Sequence, residues 1–414
     1  MNQNEEVSDI DINTEITIRS NQNNPPFNIP IYSNTDLIVQ FFPGTPAATK
    51  AMLRAHHGVI NFEICQLCFD GEIELWTFGG LISIEPKKHA IEAFGGLMDV
   101  DYEFDFASEL GDVVEGTEED LSYLPLIAPT NSGVTIAILD TGFDPFFPFW
   151  YDEYDVPKPI LYNATEMAFA DENSGYDFVN EDHNAFDDHG GKHGTIIAYE
   201  IHNFLEAEGI PHQILPVKIC DENGFTSYFK LLCGAKYVFE RAEVVNMSLG
   251  FYDDGFGDLE NTIFKNLLSE YSNVVVVTSA GNGNEDGIGD NNDVLAHYPS
   301  SYDRDNVIAV AATNADGSEA AGFSNYGSLS VDFWAAGEEI PFYDYEYDPV
   351  TSSIDGTSFA APQVAAIAAK YVYIGGGVLT PLQIINQLNV NGFPVPFEYE
   401  GMVKYDKYFP MLVE

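Results

Sequence analysis

A chain of 414 residues, 45% hydrophobic and 14% aromatic, carries enough apolar material for two or three packed domains, which argues against disorder for the whole chain. Its 66 Asp and Glu against 16 Lys and Arg give a formal net charge of −50. A surface so acidic repels phosphate, which argues against nucleic acid and against anionic membranes as partners, and reads first as a solvated surface.

Residues 1–34 read as a flexible segment. Met1 to Asn24 is polar and acidic (Glu5, Glu6, Asp9, Asp11), and Asn-rich and Pro-rich text runs from Asn21 to Pro30. The start lacks the basic residues and apolar stretch of a secretory leader, and no run of 18 apolar residues appears anywhere. The localisation is left open.

Residues 35–107 form a compact unit. Leu37 to Phe42 reads as a strand, and Thr45-Pro46 as an N-cap followed by proline at the first helical position. That helix carries Ala48, Met52 and Leu53 and ends at Gly58. Val59–Ile64 and Ile73–Phe78 are strands flanking a turn from Cys65 to Gly71. A helix from Pro86 ends at Gly95-Gly96, and Met98 to Phe106 alternates as a last strand. The order β-α-β-β-α-β is that of a ferredoxin-like sandwich.

The four cysteines do not make a disulfide framework. Cys65 and Cys68 have no second pair at zinc-ligand spacing and read as ordinary thiols in a turn. Cys220 and Cys233 can pair only if the fold brings them together.

Residues 108–130 read as an acidic linker (Glu109, Asp112, Glu115, Glu118, Glu119, Asp120), with a short helix near Glu118 to Tyr123. Residues 131–414 change character. Val134 to Leu139 is a continuous apolar run, as in a strand buried on both faces. Similar runs recur at Ile214–Val217, Val244–Met247, Val274–Val277 and Val307–Ala311. Helical text lies between them at Thr195–Leu205, Ser227–Arg241 and Asp258–Tyr271. The fold class is therefore α/β, a parallel sheet flanked by helices, in which function collects at the carboxyl ends of the strands.

The chemistry-bearing residues fall at those ends. Asp140-Thr141-Gly142 closes the first apolar run, and a carboxylate there needs a partner, though such aspartates also cap helices or bind metals. Asp187-Asp188-His189-Gly190-Gly191-Lys192-His193-Gly194-Thr195 opens a helix; either histidine could shuttle a proton, and chemistry alone does not choose between them. Gly356-Thr357-Ser358-Phe359-Ala360-Ala361-Pro362 puts Ser358 in the first turn of a helix, where a hydroxyl meets the positive end of the dipole or merely caps it. Ser279-Ala280-Gly281-Asn282 is a turn whose side-chain amide could donate to developing negative charge. Ser248-Leu249-Gly250 ends another strand, where an extended peptide could pair.

Taken together these elements resemble the subtilase family. Its D-T-G, H-G-T and G-T-S-x-A-x-P motifs appear as Asp140–Gly142, His193–Thr195 and Gly356–Pro362, and its S-L-G and A-G-N motifs as Ser248–Gly250 and Ala280–Asn282. Gly175 to Asn180 resembles the family's text ahead of its histidine motif, and the order Asp, His, Ser is the subtilisin order. Ile196, Gln363 and Phe359 depart from common family residues, and none of them is a triad position.

The resemblance implies a serine endopeptidase with Asp140, His193 and Ser358 as triad and Asn282 as oxyanion donor. It implies that Ser248, Leu249 and Gly250 pair with the substrate backbone, and that Ser279, Ala280 and Gly281 line the pocket for the residue before the cut. It implies a monomer acting on peptide or protein substrates, with residues 35–107 as an inhibitory propeptide domain removed by self-cleavage. No metal or cofactor is needed for the chemistry. The oxygens of Asp286, Asp290, Asn291, Asn292 and Asp293 leave room for a structural calcium ion, although they do not follow the EF-hand pattern. The rival readings are a non-catalytic binding protein on the same fold and an acidic calcium-binding module.

Overall fold

The computed structural model describes residues 29–65, 67, 72–80, 83–107, 127, 129–130, 132–151, 154, 156–163, 175–253, 261–283, 287–342 and 352–411. The expected helix near Glu118–Tyr123, Cys68, Asp286 and almost all of the first 34 residues lie outside these.

The first unit consists of β1 (Tyr32–Gln40), α1 (Ala47–His57), β2 (Val59–Ile64), β3 (Ile73–Phe78), α2 (Ile84–Phe94) and β4 (Asp99–Ala107). Its strands pair antiparallel in the order β4-β1-β3-β2. Leu37, Val39, Leu53, Trp76 and Ile91 form its core, drawn from alternate strand positions and the inner helix faces. Helix α1 begins at Ala47 because the Thr45 hydroxyl donates back to the Phe42 carbonyl at 2.7 Å, and Pro46 stays extended. Helix α2 begins two residues before Pro86, since a first-turn proline forfeits no intrahelical bond.

The second unit is built on β5 (Val134–Asp140), α3 (His193–Ala207), β6 (His212–Lys218), β7 (Phe225–Ser227), α4 (Tyr228–Phe239), β8 (Val244–Met247), β9 (Phe251–Tyr252), α5 (Thr262–Glu270), β10 (Val275–Ser279), β11 (His297–Tyr298), β12 (Val307–Asn314), β13 (Phe333–Glu338), α6 (Thr357–Ile374), α7 (Pro381–Asn391) and β14 (Lys407–Phe409). The central strands run parallel in the order β14-β13-β12-β10-β8-β5-β6. Ile136 and Ile138 face α3, α6 and α7, while Ala137 and Leu139 face α4 and α5, which is why β5 reads as apolar throughout. The chain leaves β5 for β6 on one side and then crosses to β8 on the other. The strand order therefore reverses beside β5, the place at whose carboxyl ends open α/β sheets bind their ligands.

Strand β13 was not anticipated. Phe-Trp-Ala-Ala-Gly-Glu has little β-branched character, and it is held as a strand by β12 and β14 on either side.

The two units share a seam. Strand β7 adds antiparallel to β4, extending the first sheet to five strands. Asp101 on β4 accepts from the Thr262 and Ile263 amides at the start of α5, at 3.2 and 2.8 Å. Glu103 accepts from the Phe229 amide at the start of α4, at 2.9 Å. Lys236 on α4 meets Glu72 at 3.2 Å, both buried. Cys65, Cys220 and Cys233 are buried. No helix of the described residues is long and apolar enough to cross a membrane.

Candidate active site

Asp140 is the last residue of β5 and is almost wholly buried. Its Oδ1 accepts from the Thr141 amide and lies 2.7 Å from His193 Nδ1. A carboxylate only accepts, so Nδ1 carries the proton and Nε2 presents a lone pair. His193 Nε2 is buried without a hydrogen-bond partner among the described residues.

His193 is the first residue of α3, and the loop before it is built to place it there. Buried Asp187 accepts from the Thr195 amide and hydroxyl at 3.0 and 2.7 Å. Burial pushes the Asp187 carboxyl up, against these bonds. The Thr141 hydroxyl accepts from the Gly194 amide at 3.0 Å. A Cβ at Gly194 would stand 2.5 Å from the Gly142 carbonyl and 3.1 Å from Asp140 Cβ, so only glycine lets the helix start this close to the Asp140 turn. Lys218, buried beside Asp140 on β6, donates to the Thr141 carbonyl at 2.9 Å and pairs with Asp188 at 2.5 Å.

The structure also separates the two histidines. His189 hydrogen-bonds through its own amide to Asp187, and burial together with repulsion from His193 pushes its imidazole down to about 4. His193, not His189, meets the Asp140 carboxylate.

Ser358 lies in the first turn of α6, and its position follows from Pro362. A proline inside a helix cannot donate to the carbonyl four residues back. That carbonyl belongs to Ser358, and it accepts instead from the Ser248 hydroxyl at 2.7 Å. Ser358 Oγ in turn reaches the Ser248 carbonyl at 3.4 Å. The rings of His193 and Phe359, the next residue, lie 5.3 Å apart, which sets the starts of α3 and α6 side by side.

Asn282 completes the cluster. Its Oδ1 accepts from the Thr357 amide and hydroxyl at 2.8 and 2.9 Å, so the amide is oriented with its NH₂ as the outward donor. The turn that carries it is clamped on all sides. Thr357 Oγ1 accepts from the Gly281 amide at 3.1 Å, Asn292 donates to the Ala280 carbonyl at 2.8 Å, and Asn325 accepts from the Gly283 amide at 2.9 Å. Ser279, Ala280 and Gly281 are buried at the end of β10 and just beyond it. Ser248, Leu249 and Gly250 link β8 to β9 outside any strand pairing, with Leu249 buried in the core under α4 and α5.

Sequence reasoning missed Thr357, Asn292 and Asn325 as orienting groups. Only the location of Thr357 inside the Gly356–Pro362 motif could have signalled it.

Among the described residues, the oxygens of the acidic stretch near Asp293 are engaged within the protein. Asp293 accepts from Ser328, Leu329 and Ser330, Asp290 from the Tyr252 hydroxyl, and Asn292 Oδ1 from Asn325. Among the described residues no group of three or more His, Cys, Asp or Glu side chains is placed to hold a metal ion.

Against known proteins, residues 131–385 match the model described as the Subtilase family. The chain is 30% identical over 289 residues to a thermophilic serine proteinase of Bacillus sp. (strain AK1), covering 67% of this chain and 62% of that one. It is 31% identical over 242 residues to an intracellular serine protease of Paenibacillus polymyxa, covering 57% and 66%. It is 30% identical over 246 residues to thermitase of Thermoactinomyces vulgaris, covering 57% and 74%. The chain thus spans somewhat under two thirds of the first two relatives' length. A solved cold-adapted subtilisin-like serine proteinase aligns with a TM-score of 0.48 at 24% identity, over 73% of this chain and 96% of that one.

Proposed function

Because the chain belongs to the subtilase family, we propose that it is a serine endopeptidase in which Asp140, His193 and Ser358 act as the triad. The observation that carries this reading is the 2.7 Å contact of Asp140 Oδ1 with His193 Nδ1, which fixes the tautomer a general base needs.

Ser358 Oγ attacks the scissile carbonyl while His193 Nε2 takes its proton. The oxyanion so formed is held by the Asn282 side-chain amide and the Ser358 backbone N–H. Collapse of the tetrahedral intermediate breaks the peptide bond, and His193 returns the proton to the leaving amine. Water, deprotonated by the same histidine, then releases the acyl group from Ser358. Asp140 orients the imidazole and balances its positive charge. These steps need no cofactor. Ser248–Gly250 pairs with an extended substrate backbone, and Ser279–Gly281 lines the pocket for the side chain before the cut.

Residues 35–107 act in this reading as an intramolecular inhibitor, cut from the protease within residues 108–130. The contacts of Asp101 and Glu103 with the starts of α5 and α4 support this, as they hold the unit on the second one without covalent help. The mature enzyme is a monomer that cuts peptides and unfolded proteins.

Incubating the purified chain with casein, with intact mass followed in parallel, tests both parts. Casein cleavage with loss of an N-terminal fragment, both absent in Ser358→Ala, is the expected result. Cleavage that survives in Ser358→Ala would remove the reading.

A further inference from the structure

His297 lies outside every motif considered so far, on β11, which pairs with β9 just beyond Ser248–Gly250. Its side chain is wholly buried. A Cβ at Gly250 would stand 2.1 Å from His297 Cε1 and 2.6 Å from Nε2, and a Cβ at Gly281 would stand 3.2 Å from Cδ2. The imidazole therefore touches both of the backbone segments that Proposed function assigns as the sides of the pocket.

The ring is also fixed in place. The Ser300 hydroxyl donates to the His297 carbonyl at 2.7 Å, so at 3.0 Å from Nδ1 it accepts, and Nδ1 bears the proton. The Tyr252 ring packs edge-on at 5.1 Å, and the Tyr252 hydroxyl is itself tied to Asp290 and Asn325. A side chain held by Ser300 and packed against Tyr252 does not swing away to admit a ligand without losing these contacts.

We infer that His297 determines specificity: it closes the deep end of the pocket, so that the residue before the cut must be short, of the class of glycine, alanine or serine. This inference rests on the endopeptidase reading and on the assignment of the two segments as pocket sides. Overpacking disfavours long side chains here, because the buried His297 ring is already fixed by Ser300 and Tyr252.

The test uses the full chain, with active nucleophile counted by fluorophosphonate labelling, and a set of peptide anilides identical except for Ala, Ser, Leu, Phe or Asp before the cut. The wild type should cleave after Ala or Ser on the order of 100-fold more efficiently in kcat/KM than after Leu or Phe. His297→Gly, and His297→Ala as the milder cut, should raise kcat/KM for Phe by about 10–100-fold and leave Ala within a few-fold. Equal wild-type cleavage after Phe and Ala overturns the inference, as does a preference for Asp over Ala, which would make the imidazole a recognition group instead of a plug. Unchanged selectivity in variants that label like the wild type also overturns it. Absence of both labelling and cleavage of every peptide is a different failure, that of the endopeptidase reading, and the inference falls with it.

Discussion

Two pairs of helix starts in this molecule use the same physics for different ends. At the seam, α5 has no side-chain cap of its own and takes Asp101 from the first unit, while α4 has its Ser227 cap and Glu103 as well. At the crevice, α3 and α6 also lack side-chain caps of their own. There the first-turn groups are engaged by neighbours that orient chemistry: Thr141 and Asp187 for α3, Asn282 for α6. The positive end of a helix attracts negative charge in both places. At the seam the acceptor is a carboxyl group of the first unit. At the crevice α3 has the buried Asp187 carboxyl, and α6 faces the transient oxyanion of the proposed reaction.

Substitutions at the crevice should therefore act on rate and those at the seam on stability. The largest effect belongs to His193→Ala and Ser358→Ala, each lowering kcat by about 10⁶-fold, the scale known from a subtilisin, with the thermal midpoint little changed. Asn282→Ala should lower kcat by about 10²–10³-fold, again on a scale known from a subtilisin, with KM nearly constant. Thr357→Val removes only the hydroxyl that helps orient Asn282 and should cost about 10-fold in kcat. A change confined to KM would contradict the oxyanion assignment.

At the seam, Asp101→Ala strips the cap from α5 and leaves its amides and the Tyr228 hydroxyl without their acceptor. It should lower stability by about 1–3 kcal/mol in chemical denaturation of the full chain. The smallest effect is a pH dependence. Burial pushes the Glu103 carboxyl up to about 8 and the Asp101 carboxyl up to about 6. Groups that bind protons more tightly in the folded, docked state favour that state as pH falls, and the gain is lost as pH rises through the raised values. The thermal midpoint of the full chain should thus rise between pH 8.5 and 6.5, and rise less in Glu103→Gln. An identical slope in the two proteins would show that Glu103 does not titrate at the seam.

The sheet was legible because its strands are buried on both faces, so β5, β6, β8, β10 and β12 announce themselves as apolar runs. The residues of the proposed triad stand in motifs, yet the choice of His193 over His189 as the partner of Asp140 became physical only with the loop around Asp187. Asn292, Asn325 and His297 were not legible, since each acts on a turn or strand a dozen or more residues away and carries no local pattern. Asp101 and Glu103 were hidden differently. They sit in an alternating strand whose other face looked solvated, and only the second unit covers it.

The most direct measurement is labelling of the full chain with a fluorophosphonate, read by intact mass, beside Ser358→Ala and Asn282→Ala. The account predicts one label on the wild type, none on Ser358→Ala and markedly slower labelling of Asn282→Ala. A label retained in Ser358→Ala, or a wild type that stays unlabelled even after limited proteolysis ahead of Val134, would contradict it.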